Sequence, residues 1–510
     1  MHKRLFYSIL TGVLVTISFP PFRLGFFAYI ALIPFFLLLQ DISMKEAVRW
    51  GYLTGLFVNI GTLYWINWVT IPGAIAAILF LPFYFVLYAI FHVFLKSRLD
   101  TKYFYISIPF LWTGIEYVRS LGVLGFPWTS MAYSQSYYLT LIQYVSYTSV
   151  FGVSFWVILI NVMILRIWKS YRDTKRVIIY ILILVILFAL PWLYGKWVIP
   201  DDTDLQENIR IAVVQGNIDP FLKSDEDFWH ENFEIYSQLS HKAVTQNIQL
   251  LIWPETAMPC YLRFTPEYQR KVKELVRELN VPLLTGAHDV EFSKKGKYRT
   301  FNAVFAIIPN GHGMQSYSKL HLVPFGERVP FTEIIPQFKT FLESLELGEG
   351  NFSQGDEIVT FTIPIQRKDG NDDKKILKTP VVICFESLFP DLVRKFVMNE
   401  HSEMLIVVTN DGWFKRSSAP YHHAQAAVFR AIENRIPIAR AANTGVSMFI
   451  DAYGKTINKT PIFERDFIIA DLPLSRDRTF YAKNGNVFTI AVSMLNLIPL
   501  IWAIFRKEKL

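Results

Sequence analysis

Eight apolar runs, each near the length of a bilayer-crossing helix, dominate this 510-residue chain. They fall at 5–20, 24–40, 50–70, 74–95, 104–119, 138–166, 177–198 and 486–505. About 20 apolar residues carry a helix across the hydrocarbon layer, where a backbone must satisfy its own hydrogen bonds. The pattern predicts a polytopic α-helical membrane domain with eight transmembrane helices, seven before a long polar segment and one after it. The first run lacks a small-residue cleavage site and another follows at once, so it reads as a retained helix and not a signal peptide.

The charges fit that reading. Only 18% of residues are charged, below the roughly 25% of an ordinary soluble domain. The net charge of +8 raises the question of nucleic acid, but the basic residues sit in short loops between apolar runs. Lys3 and Arg4 precede the first run, and Lys45 and Arg49 lie between the second and third. Lys96, Arg98 and Lys102 follow the fourth; Arg166, Lys169, Arg172, Lys175 and Arg176 follow the sixth; Arg506, Lys507 and Lys509 follow the eighth. The alternate loops carry only Arg23, no cation, and Arg119. Every second loop is basic, which the positive-inside rule reads as cytoplasmic termini and an external segment 200–485. Anionic lipid headgroups, and not nucleic acid, are the expected partners of this charge. The external loop Gly122–Ser130 is glycine-rich and aromatic, either an interface anchor or the lining of a lipid path.

The segment 200–485 changes character. Strands are predicted at Ile209–Gln215, Leu250–Pro254, Pro282–Thr285, Asn302–Ile308, Pro380–Phe385, Met404–Thr409 and Val446–Asp451. Helices are predicted at 226–245, 265–279, 388–399 and 418–435. That alternation predicts a layered α/β domain. The stretch 326–352 and the charged turn Lys368–Lys375 read as inserts, the first as a lid suggested by its length and by Gly326, Gly348 and Gly350. The expected domains are 1–199, 200–485 and 486–510.

The chemistry centres on Cys384, which ends the apolar run Val381-Val382-Ile383 and is followed by Phe385-Glu386. A thiol at a strand end needs a base or nearby positive charge to become a nucleophile. Glu255, after Trp253-Pro254, can take its proton. Lys319, after Tyr317-Ser318, can supply the charge and bind an oxyanion. Glu386 can orient either group or relay a proton. The only other cysteine, Cys260, reads as a small buried hydrophobe. No histidine spacing suggests a metal site. His422 and His423 are adjacent, so on a helix they point apart, and capping or packing is expected of them.

Taken together, several motifs resemble the carbon–nitrogen hydrolase (nitrilase) superfamily. They are Gln215-Gly216-Asn217, Trp253-Pro254-Glu255, the run Lys319 to Glu327, Cys384-Phe385-Glu386, Asn410-Asp411-Gly412-Trp413-Phe414, Arg430-Ala431-Ile432-Glu433 and Asn443-Thr444-Gly445. With the membrane segments around it, the whole chain resembles the apolipoprotein N-acyltransferase family. The resemblance implies an αββα sandwich with a Glu255, Lys319, Cys384 triad, supported by Glu327, Phe385 and Glu386, and no cofactor or metal. It implies that a phospholipid, usually phosphatidylethanolamine, acylates the cysteine as a thioester. The α-amine of a diacylglyceryl-modified apolipoprotein then takes the acyl chain. It also implies a monomer in a bacterial inner membrane, with its catalytic domain on the periplasmic side. Phe385, Ser224 and Lys415 stand where the family usually has Tyr, Trp and Gly, so gating and one loop turn are expected to differ. Two other readings compete: a membrane-tethered amidase using the same triad, and a transporter or scaffold with an outer domain. Eight spans exceed what a tethered hydrolase needs, and no charge lies in mid-span to mark an ion path.

Overall fold

The computed structural model describes residues 1–69, 71–201, 207–223, 225–292, 298–311, 313–328, 352–366 and 375–506. Ser224, Gly348, Gly350, Lys507, Lys509 and most of the two expected inserts lie outside the described residues. The chain divides into two compact units, Met1–Pro200 with Asn484–Leu510, and Asp201–Lys483.

The first unit is helical. Among the described residues, four helices are long and apolar enough to cross a membrane: Gly73–Arg98, Val145–Lys169, Thr174–Val198 and Val487–Ile504. The expectation of eight such helices is met only in that part. The run at 24–40 breaks into the 3-10 turn Gly25–Tyr29 and the short helix Ile33–Leu38. The run at 5–20 forms a helix of 17 residues, His2–Ser18. The run at 50–70 is split between Met44–Leu63, whose first turns carry Lys45, Glu46 and Arg49 and whose start is held by a Ser43/Glu46 capping box, and the short helix Ile66–Val69. The run at 104–119 lies in Thr101–Arg119, with Pro109 inside it and the polar pair Glu116 and Arg119 near its end. In Thr174–Val198 only Gly195 is buried, so that helix shows apolar side chains almost all round. Such a surface is stable only against an apolar solvent.

Polar side chains inside this unit tie its helices together. Asn161 donates to Ala28 O at 2.8 Å and accepts from Leu32 N at 3.0 Å, which stitches Val145–Lys169 to the broken segment. The buried Glu116 accepts from Trp112 Nε1 at 2.9 Å, Met131 N at 3.0 Å and Ser154 Oγ at 2.6 Å. Arg119 donates to Thr129 Oγ1 at 3.1 Å. The aromatic loop is therefore pinned inward at its far end. Trp128 is buried, with its ring 4.6 Å from that of Trp65. Glu116→Ala removes the common acceptor of three donors, each worth about 1 kcal/mol in a helical membrane bundle. We expect the Tm in detergent to drop by several degrees; an unchanged Tm would show that Glu116 is not the tie.

The second unit is a pair of sheets with helices outside. Its strands are β1 (Asn208–Gln215), β2 (Leu250–Ile252), β3 (Met258–Tyr261), β4 (Leu283–Phe292), β5 (Tyr298–Ile307), β6 (Gln315–Ser318), β7 (Thr360–Ile365), β8 (Lys375–Ile383), β9 (Leu405–Thr409), β10 (Ile438–Ala442), β11 (Met448–Ile450), β12 (Thr456–Lys459) and β13 (Asp466–Pro473). One sheet runs β13-β1-β2-β4-β5-β6, with β3 paired to β4, and the other runs β12-β11-β10-β9-β8-β7. The centres β1-β2-β4 and β8-β9-β10 are parallel and the flanks antiparallel. Helices Trp229–Val244 and Pro266–Leu279 cover the first sheet, burying Tyr236, Val272 and Leu275 against Ala212, Val214 and Trp253. Helices Pro390–Met398 and Ala419–Asn434 accompany the second.

The αββα layering follows from the apolar pattern. Val381-Val382-Ile383 and Leu405–Thr409 are fully buried without alternation, as in parallel strands covered on both faces. Pro266–Leu279 buries Tyr268, Val272, Leu275, Val276 and Leu279, one helical stripe, and ends at Asn280 with φ 51°. Each predicted strand and helix of this segment has its counterpart, with one shift that matters. The strand expected to include Phe385 stops at Ile383, and Cys384–Leu388 form a 3-10 turn.

Candidate active site

In a parallel sheet the carboxyl ends of the strands present reactive groups. Glu255 follows β2, Lys319 follows β6 and Cys384 follows β8, so both sheets contribute. Trp253 sets the first of these. It is fully buried, its Nε1 donates to Ser240 Oγ at 3.0 Å, and its ring stacks on Tyr236 at 5.1 Å. Gly286 then lets the turn pass: a Cβ there would lie 2.6 Å from Glu255 Cα, Pro254 O and Thr256 N. Only glycine allows that approach.

The buried Lys319 ammonium lies 3.6 Å from Glu255 Oε1 and 2.8 Å from Glu327 Oε1. Asn302 Nδ2 donates to both carboxylates, at 2.7 Å to Glu255 and 2.9 Å to Glu327. The other oxygen of Glu255 accepts from Asn410 N at 2.7 Å, and that of Glu327 from Val323 N at 2.8 Å. A buried charge without such partners would be costly. Burial pulls the Lys319 proton affinity down, but Glu327, Glu255 and Cys384 outweigh it and hold the amine above the ordinary lysine range. Lys319 is thus a fixed cation.

Cys384 adopts φ 52° at the head of its turn. Burial pushes its thiol well above the usual range, Glu255 pushes it further, and Lys319 works against both. The residue as a whole keeps partial exposure. A thiol held protonated beside a carboxylate suits general-base activation at the moment of attack, not a standing thiolate. Cys260 is buried in the first sheet's core and its thiol is pushed up to about 12 by that burial.

Glu386 was expected as an orienting or relay group. It lies fully buried in the 3-10 turn, and its carboxylate is committed to a clamp. Oε1 accepts from Tyr317 OH at 2.6 Å, Leu320 N at 2.7 Å and His321 N at 3.0 Å; Oε2 accepts from Ile383 N at 2.7 Å. It therefore fastens the Lys319 loop to the Cys384 turn. Phe385 is buried, with its ring 5.0 Å from Phe389 and 5.9 Å from His321. Burial and Lys319 push His321 down to about 4, so it stays neutral at pH 7. Lys415 takes φ 49°, the region glycine favours, in the loop where a departure was expected.

Sequence reasoning passed over Asn302, which carries no motif of its own. It expected capping or packing of His423, without the contact its ring makes with the Cys384 carbonyl. The signal available for His423 was its place nine residues after the Asn410–Phe414 motif. Among the described residues, no group of three or more His, Cys, Asp or Glu is arranged to hold a metal ion.

The charges around the thiol fix the direction of its pH response. Glu255→Gln removes a negative charge that raises the thiol, so alkylation of Cys384 by iodoacetamide should set in at lower pH than in the unaltered chain. Lys319→Met removes the opposing cation and should move the onset to higher pH. Intact-mass kinetics across pH 6–10, a window around the ordinary thiol value of roughly 8.5, read both; shifts of the opposite sign would refute this electrostatic picture.

Known proteins divide along the same lines. The family model described as apolipoprotein N-acyltransferase N-terminal domain matches residues 11–163, and that described as carbon-nitrogen hydrolase matches residues 210–480. A protein of Geobacter metallireducens named apolipoprotein N-acyltransferase is 35% identical, over 95% of this chain and 92% of its own. One of the same name from Chlorobaculum tepidum is 31% identical, over 99% and 98%. The crystal structure of an amidase from Nesterenkonia sp. is similar at a TM-score of 0.38 and 17% identity, covering 56% of this chain and 96% of that one. With relatives this similar along nearly the full length, and a carbon-nitrogen hydrolase match over more than half of it, the chain belongs to the apolipoprotein N-acyltransferase family and is an acyltransferase.

Proposed function

We propose that this enzyme moves an acyl chain from a phospholipid, phosphatidylethanolamine first among them, to the α-amine of the diacylglyceryl-modified N-terminal cysteine of an apolipoprotein. The carrier is a thioester on Cys384. The observation that supports this best is the fixed Lys319 cation, 3.6 Å from Glu255 and electrostatically coupled to the Cys384 thiol.

In the first half-reaction Glu255 takes the thiol proton as sulfur attacks the ester carbonyl. The C–S bond forms, and the resulting oxyanion is stabilised by Lys319. As the intermediate collapses, the ester C–O bond breaks and the proton on Glu255 passes to the departing lysophospholipid. In the second half-reaction the lipoprotein amine attacks the thioester, Glu255 takes the amine proton, and the C–S bond breaks. Cys384 leaves as thiolate and regains its proton from Glu255. Glu327 keeps Lys319 charged and in place, and Glu386 keeps the two loops in register. Phe385 adds an apolar wall, which helps keep water from a thioester that must wait for an amine.

The same reading makes the chain a multi-pass protein of a bacterial inner membrane that works as a monomer. Its seven spans in 1–199 and last span in 486–510 would flank the catalytic domain 200–485, which faces the periplasm. Alternating basic loops and the exposed apolar surface of Thr174–Val198 support that arrangement.

Alkyne-labelled phosphatidylethanolamine should label the purified chain in a form that hydroxylamine removes. Cys384→Ala should abolish the label, and Glu255→Gln and Lys319→Ala should cut its rate by at least about a hundredfold, the scale of losing one acid–base or oxyanion group. Cys260→Ala should label normally. Retained label in Cys384→Ala would sink the thioester. Absence of label in folded protein, with brisk ammonia release from a soluble amide, would make the chain a hydrolase instead.

A further inference from the structure

The nucleophile turn depends on a residue outside the triad and its carboxylates. Cys384 has φ 52°, a left-handed conformation that a residue with a Cβ keeps only when its surroundings impose it. Its carbonyl oxygen accepts from Ser387 Oγ at 2.8 Å and lies 3.1 Å from His423 Nε2. That same nitrogen is 2.9 Å from Ser387 Oγ. Nε2 therefore meets the turn at two oxygens, the Cys384 carbonyl and Ser387 Oγ: it accepts the serine proton when the ring is neutral and donates to the carbonyl when the ring is protonated.

The other side of the ring is anchored in a buried ionic chain. His423 Nδ1 donates to Asp411 Oδ1 at 2.8 Å, and Arg440 Nη2 donates to Asp411 Oδ2 at 2.9 Å. Thr409 Oγ1 also donates to Asp411 Oδ1, at 2.9 Å. His423, Asp411 and Arg440 are all fully buried. Burial alone would raise the Asp411 carboxyl, but Arg440 and His423 hold it well below the ordinary range, so it is a fixed anion. Gly445 leaves the room this needs: a Cβ there would fall 2.1 Å from Asp411 Oδ2.

We propose that His423 is a positioning residue for Cys384. Its imidazole ties the nucleophile's carbonyl to the Asp411–Arg440 pair and so keeps the turn in the left-handed form that holds the sulfur beside Glu255 and Lys319. The proposal rests on the reading of Cys384 as the nucleophile. It assigns His423 no contact with substrate.

The test uses the full-length enzyme in detergent with His423→Gln, His423→Asn and His423→Ala. The glutamine amide nitrogen reaches the place of Nε2, whereas that of asparagine reaches only the place of Nδ1. His423→Gln should form the thioester with phosphatidylethanolamine within about tenfold of the unaltered rate. Asn and Ala should be slower than Gln by a further ~10- to 100-fold, the rate equivalent of one buried hydrogen bond to a strained turn. KM for the phospholipid should not change. Iodoacetamide alkylation of Cys384 without lipid should rank the variants in the same order. Equal rates for Gln and Asn in both assays, or unaltered rates in Ala, would overturn the proposal. Should Ala fail to fold, the Gln–Asn comparison decides alone. If the unaltered chain takes no acyl group but the alkylation ranking holds, the positioning role stands and the phospholipid reading falls. If it acylates normally and the ranking is flat, the reverse is true.

Discussion

The catalytic unit depends on a carboxylate that reaches from one sheet to the other. Glu386 stands in the turn after β8 and collects the backbone amides of Leu320 and His321 and the hydroxyl of Tyr317, all at the end of β6. Glu255 does the same in the opposite direction, accepting Asn410 N from the end of β9. Two sheets packed face to face have no intrinsic reason to align their carboxyl ends to within a hydrogen bond. These two anions impose that alignment, because leaving either unsatisfied in a buried site costs far more than the small shift needed to satisfy it.

From that alignment the electrostatics follow. One ammonium, Lys319, serves two carboxylates, and Asn302 bridges the same two. The resulting cluster keeps the lysine charged while burial and Glu255 keep the cysteine protonated. In the proposed reaction such a site holds a cation where the oxyanion would form and a base where the proton would leave. Neither has to reorganise when the reaction starts. Behind Cys384 a second buried chain, Arg440–Asp411–His423, supports the turn from the other side. The sulfur is thus held between two ionic assemblies, each satisfied internally.

Much of this was legible in the chain. Apolar run length and alternating basic loops gave the membrane reading, since both are set by the bilayer and not by packing. Uninterrupted apolar strands such as Val381-Val382-Ile383 gave the buried parallel sheets, and the residues just past them gave Glu255, Lys319 and Cys384. The reading was weaker where an apolar run breaks its helix or shares it with polar residues. The segment 24–40 is apolar throughout and still breaks, while 50–70 and 104–119 belong to helices with polar ends. Hydropathy counts side chains and does not register a broken backbone or a buried Glu116.

The sequence by itself determined which groups are available: a thiol, a carboxylate and an amine just past strand ends, and apolar runs near the length of a bilayer-crossing helix. Tertiary structure alone decided what each partner does. Glu386 reads as an orienting or relay group two residues from a thiol; folding makes it a clamp, because the consecutive amides of Leu320 and His321 and the amide of Ile383 converge on it. Asn302 and His423 are ordinary residues of a strand and a helix until folding brings them to the carboxylates and to the Cys384 carbonyl. Motif spacing encodes chemistry along the chain, whereas hydrogen-bond partners 25 to 155 residues apart are set by the packing of two sheets.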